Sequence, residues 1–173
     1  ASTLQAVSAS TGVPAEVVVA IIGVETYYGR ITGSYRVIDA LATLAFDYPR
    51  RSSFFTGELQ QFLVLAWESG KDPLALKGSY AGAMGYGQFM PSSYRAYARS
   101  YNGDGAADIW DNPADAIASV ANYLQAHGWR GGEQVVTDGI AEAPDPAVFE
   151  GGLRPMKTVA ALAQKGLQPT EPL

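Results

Sequence analysis

The sequence predicts an α+β fold that is mainly α-helical and contains at most a small β element. The first observation is periodicity, because apolar residues recur three and four positions apart along much of the chain, which is the spacing of one helix face. The second is that the best strand candidate, residues 134–137, is short. The third is length, since 173 residues suit one ordinary globular domain. We therefore predict a single domain over residues 1–173.

The individual elements follow from start and stop signals. Pro14 suits the first turn of a helix that continues to Gly29. This helix is apolar nearly all round, so we expect it at the centre of the domain. A helix over residues 38–46 ends before Pro49, because proline disfavours a helical residue ahead of it. The remaining elements are a helix over 53–68, a glycine-rich loop over 78–87, helices opening at Pro91 and running from Asn112 to His127, the strand, and an amphipathic helix over 155–165.

Charge and cysteine content exclude several classes of function. Twelve Lys+Arg against seventeen Asp+Glu give a net charge of −5 at pH 7, and the longest basic run is Arg50-Arg51, so we expect no nucleic-acid partner. The chain has no cysteine, which removes disulfides, thiolate zinc sites and cysteine nucleophiles. The longest apolar run, residues 17–24, is well short of the ~20 residues that span a bilayer.

Glu25 is the outstanding candidate for chemistry. It follows Ile21 and Ile22 by four and three residues, which places its carboxyl group on a stripe of branched apolar side chains. Burial on this stripe would favour the neutral form, and an acid that keeps its proton near neutral pH can protonate a glycosidic oxygen. The alternative is a structural carboxylate near the helix end, satisfied by water or by a hydrogen bond.

A second candidate is the glycine-rich segment from Ser79 to Pro91. Its glycines allow backbone to approach a ligand closely, and the rings of Tyr80 and Phe89 offer faces on which sugars can stack. Ser79 and Gln88 add a hydroxyl and an amide. The segment matches neither a Walker A motif nor a dinucleotide-binding fingerprint. A compact connection between two helices explains the same composition equally well.

The acidic segment over residues 100–111 has the frame of a calcium loop. Asn102 and Asp104 stand at ligand positions and Gly105 at the turn, but Ser100 replaces the acid that usually opens such a loop. Asp-rich turns that bind no metal have a similar composition. Both interpretations stay open from the residues alone.

The remaining notable residues favour structural roles. His127 is the only histidine and lies at a helix end, where a cation is stabilised, so no Ser-His-Asp or histidine-metal cluster can be built around it. Arg50 and Arg51 are most simply a solvated pair and less often an anion clamp. The tryptophans are interpreted as core or loop anchors: Trp67, Trp110 and Trp129.

Five segments, in order along the chain, form a specific pattern. They are GVETYYGR at 23–30, IDALATL at 38–44, YPRR at 48–51, GAMGYGQFMPSSY at 82–94 and ASVANY at 118–123. Together they resemble the lytic transglycosylase B family, in its membrane-bound and soluble forms alike. The resemblance covers residues 13–129 well and the tail more loosely.

This resemblance implies a lysozyme-like fold and cleavage of the β-1,4 bond between N-acetylmuramic acid and N-acetylglucosamine in peptidoglycan. It makes Glu25 the single catalytic acid/base, whereas most glycosidases use two carboxylates. In the family's mechanism the deprotonated acid removes the proton of the muramoyl C6 hydroxyl, which closes on the anomeric carbon with help from the N-acetyl group and gives a 1,6-anhydro product. The substrate contacts that it implies are Ser79, Gln88, Tyr123, Tyr80, Phe89, Met90, Tyr28, Arg50 and Arg51.

The resemblance also implies cofactors, partners and location. No cofactor is needed for the chemistry, and a structural calcium ion would be held by Asn102, Asp104, Ala106 and Asp115. The partners are peptidoglycan strands and the cell-wall synthesis or lysis machinery, and we expect a monomer in the bacterial periplasm, either free or anchored to the outer membrane. The family normally has helices before and a segment with cleft tyrosines after this stretch, so we expect part of the groove to lie outside the chain. The rival functions are a hydrolytic muramidase and a non-catalytic glycan-binding module.

Overall fold

The structure is a computed structural model that describes residues 2–152 and 155–171. The described residues are mainly helical with two short antiparallel strand pairs, which agrees with the predicted fold class. The helices are α1 (Ser2–Thr11), α2 (Ala15–Thr26), α3 (Val37–Asp47), α4 (Ser52–Glu68), α5 (Pro91–Tyr97), α6 (Pro113–Ala126) and α7 (Val159–Ala163). Strand β1 (Tyr35–Arg36) pairs with β2 (Lys77–Gly78), and β3 (Gly139–Ala141) pairs with β4 (Leu167–Pro169).

The chain divides into two compact units, residues 1–131 and 132–173. The first unit holds α1 to α6 and the β1–β2 pair, and the second holds α7 and the β3–β4 pair. The prediction of a single domain over residues 1–173 stays a prediction.

The predicted helices of the first unit agree closely with the structure where the start signals are strong. Helices α3, α4 and α6 begin and end within one residue of the predicted positions, and α5 begins at Pro91. Asn112 caps α6, since its side chain accepts the Ala114 N–H at 3.0 Å. Helix α1 is missing from the predicted elements because its apolar stripe is short: Val7 is its only buried residue and Leu4 is only partly buried.

Two predictions for the second unit are wrong. Residues 134–137 form no strand, and the strand in this region is β3, which has a hydrogen-bonding partner in β4. Val135 and Val136 are exposed. Their β propensity does not make a strand, because these residues have no partner strand to pair with. The helix predicted over 155–165 is confined to α7, since the Thr158 hydroxyl accepts the Ala161 N–H at 3.2 Å and so caps the helix late.

Helix α2 is buried on one face and not all round, which corrects the expectation that it lies at the centre of the domain. Val18, Ile22 and Thr26 face the core, whereas Val24 is 86% exposed. In the described ranges no single helix is long and apolar enough to cross a membrane. Helices α1 and α2 pass that test only as a pair, on length and composition alone, and they are bent by 112°.

The glycine-rich loop is anchored in the core of the first unit. Met84 is fully buried, and its backbone exchanges two hydrogen bonds of 2.9 Å with the backbone of Phe89. The loop is therefore a tight hairpin-like turn that holds the segment around Gln88 against the helices. Burial of the Met84 side chain makes the position of this turn as well defined as that of the helices.

A buried carboxylate on α4 orients α5. Glu58 is 5% exposed, and its side chain accepts the Ser92 N–H at 2.9 Å and the Ser92 hydroxyl at 2.6 Å. An anion at a helix N-terminus is favourable, because the first N–H groups of a helix have no partner within it. The contact therefore fixes the start of α5 against α4.

The stability of the fold should decrease above pH 10 because of Tyr94. Its hydroxyl donates to the Ala107 carbonyl at 2.6 Å, and burial, aided by the negative charges of Asp108 and Asp115, raises the pKa of Tyr94 to about 12. An unfolded tyrosine ionises near pH 10, so between about pH 10 and 12 the unfolded state releases the proton first and gains stability relative to the folded state. Below pH 10 the contribution of Tyr94 is constant.

Chemical denaturation from pH 8 to 12, on wild type and Tyr94→Phe, measures this effect. The wild-type free energy of unfolding should decrease more steeply than that of Tyr94→Phe above pH 10, since phenylalanine has no proton to lose. Parallel pH profiles for the two proteins would contradict the prediction.

Candidate active site

An open groove of about 300 Å³ lies where α2, the glycine-rich loop, α5 and α6 meet. It brings together five residues that the sequence predicted for the site: Glu25, Gln88, Phe89, Met90 and Tyr123. Glu25 is the only carboxyl group among the described residues that line it. The groove therefore joins one acid, one amide and an aromatic wall.

Glu25 lies on the wall of this groove and is not buried. The apolar stripe of α2 divides in two, because Val18, Ile22 and Thr26 turn to the core while Ile21 and Glu25 turn to the groove. The expected burial of Glu25 is therefore wrong, and its carboxyl group is exposed. Among the described residues, none donates a hydrogen bond to the Glu25 carboxyl group or forms an ion pair with it. An exposed acid in an open groove is available to a ligand.

Gln88 lines the groove, and its amide nitrogen is bound within the protein. Its backbone has φ of 51°, a left-handed conformation that is uncommon outside glycine. Its Nε2 donates to the Thr32 carbonyl at 3.2 Å and the Gly85 carbonyl at 2.9 Å. Both amide hydrogens are thus used within the protein, so Oε1 is left to accept a hydrogen bond from a ligand.

The ring of Tyr123 is held by three other rings. It stacks on His127 at 4.0 Å between centroids and meets Phe89 and Tyr97 edge to face, at 5.8 Å and 5.2 Å. His127 follows the end of α6, as expected, and its Nδ1 lies 2.7 Å from the Tyr123 carbonyl. Such packing leaves Tyr123 little freedom to move, which suits a rigid wall for a sugar ring.

Five of the other predicted contacts lie outside the lining of this groove, namely Ser79, Tyr80, Tyr28 and the arginine pair. The Ser79 hydroxyl accepts the Ala81 and Ala83 N–H groups at 3.2 Å and 3.1 Å and so shapes the glycine-rich turn. Its own proton has no acceptor within the described residues. Tyr80 is 74% exposed beside it, and Tyr28 folds back over Gly23, where a Cβ atom would lie 2.8 Å from the ring. Their substrate contacts stay predictions.

The arginine pair belongs to a short 3₁₀ helix, Pro49–Arg51. The Arg51 guanidinium lies over the rings of Phe54 and Phe55, at 4.4 Å and 5.1 Å from their centroids. Both arginines are exposed, and Arg51 is held by these cation–π contacts. Neither lines the groove of Glu25, and their role in binding carboxylates of the substrate stays a prediction.

The residues of the expected calcium loop are held by hydrogen bonds within the protein, and calcium binding by them stays a prediction. Asp115 is 3% exposed and accepts the Tyr101 and Asp108 N–H groups, both at 2.8 Å, while Asp104 accepts the Ser100 hydroxyl at 2.7 Å. Over residues 2–152 and 155–171 there is no group of three or more His, Cys, Asp or Glu that could hold a metal. Asn102 and Ala106 are exposed, whereas Asp115 is buried. The loop is closed by hydrogen bonds within the protein.

Sequence reasoning missed several groove residues. Ile21 was recognised only as part of the α2 stripe, although it precedes Glu25 by one turn. Val120 and Leu124 line the wall beside Tyr123, and their spacing of four on α6 could have indicated it. Ser93 also lines the groove, but a serine in the first turn of a helix carries no signal of its own.

Comparison with known proteins decides the family. The family model described as Transglycosylase SLT domain matches residues 1–172. The chain belongs to the transglycosylase SLT domain family. This membership confirms the predicted resemblance, and the solved relatives confirm the predicted lysozyme-like, mainly helical fold.

The relatives are lytic transglycosylases of bacteria. Membrane-bound lytic murein transglycosylase B of Escherichia coli (strain K12) is 54% identical over 162 residues, which are 94% of this chain and 44% of that protein. Soluble lytic transglycosylase SltB1 from Pseudomonas aeruginosa is 51% identical with a TM-score of 0.92, over 98% of this chain and 58% of that chain. Escherichia coli Slt35, solved in complex with calcium, is 50% identical with a TM-score of 0.90, over 99% of this chain and 54% of that chain. The chain thus spans about half the length of these members of the family.

Proposed function

We propose that this chain carries the catalytic site of a peptidoglycan lytic transglycosylase, which cleaves the β-1,4 bond between N-acetylmuramic acid and N-acetylglucosamine with Glu25 as its single acid/base. The observation that carries the proposal is that Glu25 is the one carboxyl group among the described groove residues, in a chain of the transglycosylase SLT domain family. Lytic transglycosylase activity of relatives at about half identity supports the same chemistry.

The first step is proton donation by Glu25. Its carboxyl group gives a proton to the glycosidic oxygen, the bond from that oxygen to the muramoyl anomeric carbon breaks, and N-acetylglucosamine leaves with a free hydroxyl. Glu25 is exposed in the groove, so bound sugar rings would themselves enclose it. Enclosure without water is the environment in which a carboxylic acid keeps its proton for donation.

The second step is closure of the 1,6-anhydro ring. The N-acetyl oxygen of the muramoyl residue supports the anomeric carbon, the Glu25 carboxylate removes the proton of the C6 hydroxyl, and O6 forms the new bond to that carbon. Glu25 thereby regains its proton and no water is consumed. In the proposal the Gln88 oxygen accepts a hydrogen bond from the sugar, which is supported by the use of its amide hydrogens within the protein.

The nearby acids do not supply a second catalytic carboxylate. Glycosidases that use two carboxylates hold them about 5 to 9.5 Å apart across the bond. Asp39 is instead paired with Arg36 at 2.6 Å in the first turn of α3, and Asp47 ends that helix. Neither lines the groove within the part of the chain that the structure describes.

Digestion of purified sacculi in water enriched in oxygen-18 tests the proposal. Because O6 takes the place of water, the released muropeptides should carry a 1,6-anhydromuramoyl end, should be lighter by one water than muramidase products, and should contain no label by mass spectrometry. Label at a reducing muramic acid end would favour the hydrolytic muramidase. Binding to sacculi without any cleavage would favour the glycan-binding module.

The proposal also covers the cellular location and the binding partners of the protein. Its relatives include membrane-bound and soluble lytic transglycosylases, which supports the cell envelope, and the periplasm in particular, as the place of action. Peptidoglycan strands are the proposed partner of the groove. A structural calcium ion in the loop that Asp115 closes is a further part of the proposal, supported by the structure of Escherichia coli Slt35 in complex with calcium.

A further inference from the structure

The end of α2, directly after Glu25, is a strained turn. Tyr27, Tyr28 and Gly29 follow one another with φ of 49°, 61° and 81°, so three residues in a row are left-handed. Two of them are tyrosines, for which this conformation costs free energy. Such a run persists only where surrounding contacts determine the backbone, and these positions concentrate at functional sites.

Thr26 provides a buried side-chain contact that holds this turn. Its side chain is 2% exposed, and its Oγ1 accepts the Gly29 N–H at 3.0 Å. The same oxygen lies 2.9 Å from the Tyr86 carbonyl and 3.0 Å from the Ile22 carbonyl. Its one proton is donated to these two acceptors, of which the Tyr86 carbonyl is the nearer. The hydroxyl thus joins the strained turn to the glycine-rich loop.

Tyr86 closes this junction from the other side. Its ring packs on Gly29 so tightly that a Cβ atom there would lie 2.7 Å from the ring. Its own N–H donates to the Ile109 carbonyl at 3.0 Å, which ties the loop to the core. Tyr86 precedes Gly87 and Gln88, which line the groove opposite α2. The junction therefore connects the two walls that carry Glu25 and Gln88.

We infer that Thr26 is a positioning residue, whose hydroxyl sets the placement of Glu25 relative to Gln88 by fastening the last turn of α2 to the Tyr86 carbonyl. The inference rests on the proposed function, since it concerns the acid of that site. Without the hydroxyl, the Gly29 N–H and the Tyr86 carbonyl lose their partner and the turn is free to relax. Because a catalytic group displaced by about 1 Å can lose ~100-fold in rate, the effect should be on turnover and not on binding.

The test compares Thr26→Val with Thr26→Ser, the first of which removes the hydroxyl while the second keeps it. Initial rates on soluble glycan strands, expressed per folded molecule by circular dichroism, should show kcat reduced ~10- to 100-fold in Thr26→Val with KM within about twofold. Thr26→Ser should restore kcat. Amide exchange measured by NMR should be faster for Gly29 in Thr26→Val only. If Thr26→Val does not fold, the same measurements are made on Thr26→Ala, which also lacks the hydroxyl.

Thr11→Val is the matched control. The Thr11 hydroxyl ends α1 in the same way, donating to the Val7 carbonyl at 2.7 Å and accepting the Val13 N–H at 3.3 Å, but it lies outside the groove lining. Thr11→Val should lower stability and leave kcat unchanged. If Glu25→Gln is inactive while Thr26→Val and Thr26→Ala turn over like wild type, only the inference is overturned. If Glu25→Gln itself keeps its turnover, the proposed function fails and the inference fails with it.

Discussion

Glu25→Gln should reduce turnover of peptidoglycan by about 10²- to 10⁴-fold while the protein stays folded. Glutamine keeps the shape of the side chain but has no proton to donate to the glycosidic oxygen and no carboxylate to remove the C6 proton. Both proposed steps are lost in one substitution, because the groove offers no second carboxyl group among its described lining. The measurement is the rate of soluble anhydromuropeptide release from sacculi, with binding to chitooligosaccharides and melting temperature recorded beside it.

Glu16→Gln provides the matched control for this experiment. Glu16 lies in the first turn of the same helix, is exposed and does not line the groove of Glu25. The control removes one carboxylate from α2 and should keep wild-type turnover and binding. If Glu25→Gln kept most of its activity, Glu25 would not be the acid, and the single-acid mechanism would be wrong.

Asp115→Ala should lower the free energy of unfolding by about 3 kcal/mol, since hydrogen bonds to a charged group contribute ~1.5 to 3 kcal/mol and a donor left without its partner costs more than the bond gained. Its carboxylate accepts the N–H groups of Tyr101 and Asp108, which both belong to the loop over residues 100–111. Alanine would leave both donors without an acceptor and release the loop from the start of α6. Urea denaturation monitored by far-ultraviolet circular dichroism measures the loss.

Asp111→Ala tests whether the loss of stability in Asp115→Ala comes from the hydrogen bonds of Asp115 and not from the removal of a negative charge in the loop. Asp111 is exposed, and the structure describes no hydrogen bond accepted by its side chain. Its replacement should change the free energy of unfolding by less than about 0.5 kcal/mol, as for most surface substitutions. Equal losses in the two variants would show that the loop depends on its total negative charge, and the assigned role of Asp115 would be wrong.

Local signals in the sequence were sufficient for most of the helices in the first unit. Proline at the first turn of α5 and the Asn112 cap act within a few residues, so they can be recognised without knowledge of the fold. The second unit lacked such signals, because β3 exists through pairing with the distant β4. The late start of α7 likewise depends on the hydroxyl of Thr158, which was not recognised as a cap.

The tryptophans show the same division. Trp110 and Trp129 are anchors, as expected, since each indole N–H donates to a distant backbone carbonyl, that of Lys77 at 3.3 Å and that of Gly12 at 2.9 Å. Trp67 is 83% exposed and anchors nothing in the described structure. Residue type alone could not distinguish them, because the acceptors come from remote parts of the chain.

By itself, the sequence determined the helical class, the family pattern and the identity of Glu25 as the candidate acid, because these depend on residue types at fixed local spacings. Only the tertiary structure decided where that acid faces. The stripe of α2 predicted burial of Glu25, but a helix repeats every 3.6 residues, and the core takes Thr26 while Glu25 turns to the groove. Which of two adjacent faces is buried depends on what packs against the helix, and here the glycine-rich loop, through Tyr86, packs on the Thr26 face.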